Sequence, residues 1–171
     1  MSLPAATGSA GYIARVDPQK LFAKVTGLEP GEQVVAGCKA MRPGQIKKQA
    51  FAAGVGGGLG AAIAMRGGKE ADMADFDLTQ MCVGLTEHRV VVAKQTAMTG
   101  KAKEIVGGIP IDQIASVTAD QGRVMATKIL SGTITLKDGN TFAFEVPRVD
   151  LKQGQAFFDR LQERLGAAPA D

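Results

Sequence analysis

From Gln80 to Val146 the apolar residues recur in short runs, mostly at every second position, and turn residues close each run. Met81, Val83 and Leu85 alternate with Gln80, Cys82 and Gly84, and Val90-Val91-Val92 follows just after Glu87-His88. A period of two is the strand period, and two runs this close together read as a hairpin. After a polar loop from Gln95 to Lys103, the segments Ile105 to Ile109 and Ile114 to Thr118 predict short strands around Pro110. Ile129 to Leu136 then joins Thr141 to Val146 through Asp138-Gly139, a strong hairpin turn signal, and Pro147 stops the last strand. Phe142, Phe144 and Val146 point the same way. A chain of such hairpins makes an antiparallel sheet that must curl to bury its single apolar face.

The residues that follow change period. Phe157, Leu161 and Leu165 stand at i, i+4 and i+8, Phe158 widens the stripe, and Gly166 can close the end, which predicts a helix over Gln153 to Leu165. A helix with one apolar side can plug the open end of a curled sheet. Phe157 and Leu161 are therefore expected to be buried against Phe142 or Phe144.

Upstream, residues 1–12 are small and polar, a composition that predicts disorder. Asp17 is a good N-cap, Pro18 suits the first helical position and Gly27 can end a short helix with Leu21, Phe22 and Val25 on its apolar face. Glu29-Pro30-Gly31 reads as a turn. Gln33 to Met41 predicts a strand, with Val34, Ala36, Cys38 and Ala40 on one face and Val35, Gly37 and Lys39 on the other.

Between that strand and the hairpins lies the least ordinary stretch. The chain holds 22 glycines in 171 residues, against a usual share of about 7%. Gln45 to Phe51 favours helix, but Gly54 to Met65 contains five glycines, each costing a helix about 1 kcal/mol relative to Ala. Close packing can compensate, and the small residues fall at i, i+4: Gly54, Gly58 and Ala62 in one row, Gly56, Gly60 and Ala64 in another. These six are the candidate self-association residues. The same region is basic: Lys39, Arg42, Lys47, Lys48, Arg66 and Lys69 occur with no acid between them. They are the candidate contacts to an anionic membrane surface. A third reading lays this segment on the protein's own sheet, with the cations keeping it soluble.

Charge and composition limit the other classes. The net charge of +3 is too small for a general nucleic-acid binder. The longest apolar run, Phe51 to Met65, is shorter than the roughly 20 residues a spanning helix needs. Met1 to Gly11 lacks the basic start and apolar run of a signal peptide. Two cysteines, Cys38 and Cys82, make neither a disulfide framework nor a zinc spacing, and free thiols in a cytoplasmic protein are expected. Gly56-x-Gly58-x-x-Ala61 fits a dinucleotide fingerprint only formally, because the surrounding pattern is antiparallel, so no nucleotide is expected. Thr99-Gly100-Lys101 lacks the upstream glycine of a phosphate loop. His88 is the single histidine, on a predicted turn, and Asp72, Asp75 and Asp77 lack the spacing of a calcium loop. No catalytic residue, metal ligand or cofactor site is expected.

Several of these elements together resemble a known family. Gly84-Leu85-Thr86-Glu87-His88-Arg89-Val90-Val91-Val92 is similar to a hairpin of bacterial pleckstrin-homology-like domains. Ile109-Pro110-Ile111 with Ser116-Val117, the hairpin Leu136 to Phe144, the lead-in Leu28 to Glu32 and the final helix resemble that family's other elements in order. The resemblance implies a partly open antiparallel barrel of about seven strands over residues 28–166, capped by the C-terminal helix. A Gly-rich helical insertion at 43–78 interrupts it; residues 1–27 precede it and a tail at 167–171 follows. Lipid-headgroup recognition is not carried over, because Gln80, Cys82 and Thr86 stand at the outward positions where basic pairs would be needed. The implied function is a non-catalytic interaction or scaffold module that binds a protein partner or itself as a homo-oligomer. The alternative is a peripheral module at the inner face of the membrane, using residues 45–69. An enzyme is the remaining reading.

Overall fold

The computed structural model describes residues 17–45, 80–124 and 126–167. Its elements are helix α1 (Pro18–Leu21), strands β1 (Ala36–Met41), β2 (Gln80–Leu85), β3 (Arg89–Gln95), β4 (Ala102–Pro110), β5 (Ile114–Val124), β6 (Thr127–Leu136) and β7 (Thr141–Val146), and helix α2 (Leu151–Ala167). All registered strand pairs are antiparallel, in the order β4-β3-β2-β1-β7-β6-β5. The described fold is thus mainly β: an open seven-stranded antiparallel sheet with a C-terminal helix. The seam between its halves is narrow, since Met41 opposite Glu145 is the one registered pair joining β1 to β7. Beside it the Glu145 carboxylate accepts from the Gly44 amide at 3.0 Å, which pins the chain as it leaves β1.

Both halves contribute alternate residues to one core, as the period of two requires. Ala36, Cys38, Ala40, Met81, Val83, Leu85, Val90 and Val92 meet Leu130, Ile134, Phe142, Phe144 and Val146 there. Helix α2 closes this core with Phe157, Phe158 and Leu161, all essentially inaccessible to solvent. Phe158 stacks on Phe144 at 5.4 Å between ring centroids and meets Phe157 edge-on at 5.3 Å. Each aromatic pair contributes about 0.5–1.5 kcal/mol beyond the area it buries. The helix can approach because Gly132 of β6 lies under the Phe158 ring, where any Cβ would collide with it, and Gly154 faces Val146 and Leu130. At its far end Arg164 donates to the Glu87 carbonyl at 3.0 Å.

Several boundaries differ from expectation. The first helix is a single turn: Asp17 caps it by accepting from the Gln19 amide at 2.9 Å, and the chain leaves at Phe22 rather than at Gly27. A bend at Val35 breaks the predicted alternation, so Val34 joins a different cluster from Ala36, Cys38 and Ala40. Strands β4 and β5 are longer than expected, because each is held by a ladder to its neighbour rather than by its own apolar residues. Gly166 does not close α2, which runs on to Ala167.

Candidate interaction surface

The outer face of strands β1 to β4 is covered by the chain's own N-terminal strap, residues 17–34. Leu21, Phe22 and Val34 pack there with Cys82, Val91, Ala93 and Ala102 in a second apolar cluster. Two glycines make this possible. Gly37 and Gly84 are cross-strand partners, and a Cβ on either would stand 2.8–2.9 Å from the Phe22 ring. The slot for Phe22 is therefore the missing side chains of the sheet.

The strap is locked at its end by polar groups. The Glu32 carboxylate accepts from Arg89 Nε at 2.9 Å, from Arg89 Nη2 at 2.8 Å and from the Thr86 hydroxyl at 2.8 Å. The guanidinium donation from Arg89 holds the Glu32 carboxyl down at about 2, well below its ordinary value of 4.5. Thr86 also accepts from the His88 and Arg89 amides, so the hairpin turn and the strap share one network. Farther back, Thr26 runs beside β4: its amide donates to Lys103 O at 3.0 Å, and Ile105 N donates to Thr26 O at 2.9 Å. One edge of the sheet is thereby partly covered.

Cys38 and Cys82 are both free and buried, but on opposite faces of the sheet. The register sets Lys39, not Cys38, opposite Cys82, so the two thiols cannot meet through the strands. Burial pushes the Cys82 thiol up to about 12, and it pushes Cys38 in the same direction. Of the outward positions on the second strand, Gln80 is exposed, whereas Cys82 and Thr86 are buried under the strap.

Of the candidate basic residues, Lys39 and Arg42 are described and both are half-buried. Lys39 leans against Gly100 of the β3–β4 loop, where a Cβ would stand 2.7 Å from its ammonium. That loop is closed by Thr96 N donating to Lys101 O at 2.8 Å, Gly100 N donating to Thr96 O at 2.9 Å, and paired Thr96 and Thr99 hydroxyls. Its tip carries Met98, which is 98% exposed, beside exposed Lys101. Thr99-Gly100-Lys101 belongs to this surface loop. Lys47, Lys48, Arg66 and Lys69 lie outside the described residues, as do Gly54, Gly56, Gly58, Gly60, Ala62, Ala64, Asp72, Asp75 and Asp77. His88 is exposed on its hairpin turn. Asp150, buried after β7, has its carboxyl pushed upward by burial, with Lys39 pulling the other way.

The other half of the sheet has a different outer face. Ser116, Thr135 and Thr141 form one cross-strand row, Thr118, Thr133 and Ala143 the next, and Asp120, Ser131 and Glu145 a third. Ser116, Thr118, Asp120 and Ser131 are exposed, and the two threonines of β6 are half-buried. This face ends at β5, whose residues from Gln121 to Arg123 are exposed as well. Sequence reasoning did not reach this surface; Ser116, Thr118, Thr133 and Thr135 alternating with Val117, Ala119 and Ile134 were the available signal. Among the described residues, no group of His, Cys, Asp and Glu is placed to hold a metal, and no helix is long and apolar enough to cross a membrane. No protein-family model matches the chain, and no curated protein matches it.

Proposed function

We propose that this chain is a non-catalytic interaction module of the pleckstrin-homology-like kind, and that it associates with itself. The observation that carries the proposal is the uneven cover of the sheet. Strands β1 to β4 have their outer face filled by the strap, with Phe22 seated over Gly37 and Gly84. Strands β5 to β7 turn a small, hydroxyl-rich face and a long exposed strand toward solvent. An open edge next to such a face suits a protein partner better than a small molecule. The ordered motifs and the strand order are consistent with the pleckstrin-homology-like arrangement and support that part of the reading.

Light scattering of the purified protein across a concentration series tests the proposal. A molar mass rising from one chain toward two or more is expected. A mass of one chain at every concentration contradicts self-association.

A second reading, a peripheral contact with anionic membrane, has its own observation. Met98 projects from the β3–β4 loop with Lys101 beside it and Lys39 leaning on Gly100 at its base. An apolar tip with nearby ammonium groups suits an anionic interface. Sedimentation with phosphatidylserine vesicles at low and high salt tests it. Salt-sensitive binding lost in Met98→Glu supports the reading, and equal recovery with neutral vesicles contradicts it.

A further inference from the structure

We infer that β5 is a strand-pairing site, and that its occupant is β5 of a second copy, antiparallel about a two-fold axis at Ala119. The inference rests on the self-association reading above and names the surface, partner and register.

The two terminal strands of the sheet differ. β4 is obstructed by the chain itself: Thr26 pairs beside Glu104, the ladder to β3 is broken by two register shifts, and Pro110 ends the strand. Short cover, bulges, charge and proline are the devices by which proteins keep an edge from pairing. β5 is the longest strand, with 11 residues, and it pairs along its length with β6 alone among the described residues. Its one irregularity falls at its start, between Ile114 and Ser116. The strand contains no proline, and its two charged residues, Asp120 and Arg123, are of opposite sign and lie in its second half. An edge strand leaves alternate backbone N–H and C=O groups without ladder partners.

Symmetry restricts the register. A two-fold axis that joins two identical edges antiparallel must stand normal to the sheet, so each face of one copy continues the same face of the other. Directly opposite residues then have side chains on the same face, so the axis lies midway between a residue and its own copy in the partner rather than level with the link between two residues. The strand runs from Ile114 to Val124, and Ala119 is its middle residue. Centred there, Ser116 faces the partner's Gly122, Val117 faces the partner's Gln121, and Thr118 faces the partner's Asp120. The hydroxyl–carboxylate pair occurs twice by symmetry and lies on the exposed outer face. Centring on Asp120 would set two carboxylates directly opposite, which is unfavourable. No like charges oppose each other in the Ala119 register.

Register-specific charge exchange tests the inference. Thr118 and Asp120 are exposed, so both can be replaced without touching the core; thermal melting checks that each variant remains folded. Thr118→Asp sets a carboxylate opposite the partner's Asp120 and is expected to weaken the dimer by about tenfold or more. Adding Asp120→Lys converts that repulsion into an opposite-charge pair and is expected to restore the dimer. Sedimentation equilibrium reads both changes. A dimer as tight in Thr118→Asp as in the wild type overturns the β5 interface while leaving self-association standing. A double variant no tighter than Thr118→Asp overturns the Ala119 register. A wild type that stays monomeric overturns this inference and the self-association reading together.

Discussion

Glu32 grips Arg89 with both carboxylate oxygens, at 2.9 Å to Nε and 2.8 Å to Nη2, and so ties the N-terminal strap to the β2–β3 hairpin. The Glu32 side chain is almost covered, at 4% exposure, while Arg89 retains 22%. Replacing Arg89 with Leu leaves a covered carboxylate without its cation. The expected loss is on the order of 2 kcal/mol in chemical denaturation. An unchanged midpoint would show that the strap is held by its apolar residues alone.

The same pair predicts a pH dependence. Because the folded carboxyl of Glu32 is lowered from 4.5 to about 2, its contribution is complete above the unfolded value and is lost as pH falls through that window. Asp150 contributes the opposite slope, since burial raises its carboxyl and favours the protonated form in the folded state. The comparison is therefore between wild type and Glu32→Gln. Stability of the variant is expected to fall less between pH 4.5 and 2. Parallel curves for the two proteins would contradict the assignment.

Gly37 and Gly84 predict a coupling with Phe22. Gly84→Ala alone forces a Cβ to 2.9 Å from the ring and is expected to cost about 1–3 kcal/mol. In a Phe22→Leu background the same change should cost clearly less, because the ring it meets is gone. Additive losses in the double-mutant cycle would mean that the strap does not use this slot.

The hairpins and the final helix were legible because their information is local: alternation, Asp138-Gly139, and the spacing of Phe157 and Leu161. The strap was not. Its course depends on absent side chains at Gly37 and Gly84 and on a carboxylate meeting an arginine 57 positions away, neither of which leaves a periodic trace. Val34 was misplaced for a related reason, since the bend at Val35 interrupts the alternation on which its assignment relied. The far part of β5 was also missed. Asp120-Gln121-Gly122-Arg123 is exposed on both faces, so its strand character comes from the ladder to β6 and not from an apolar pattern. The proposed self-association surface thus sits where sequence patterning is weakest.

Buried thiols make a further expectation. Cys38 and Cys82 are covered on opposite faces, and burial disfavours both thiolates. In native protein both are expected to resist an alkylating reagent, and under denaturing, non-reducing conditions both should be modified. Rapid labelling of either in the native state would contradict the packing described for its cluster.

Amide hydrogen exchange at β5, followed as protein concentration rises, tests the proposed strand pairing most directly. The amides of Ser116 to Gly122 that do not bond to β6 should exchange freely in dilute protein and gain protection as the dimer forms, while the β3–β4 loop around Met98 stays unchanged. Exchange along β5 that is the same at every concentration, in protein shown to be dimeric, would contradict it.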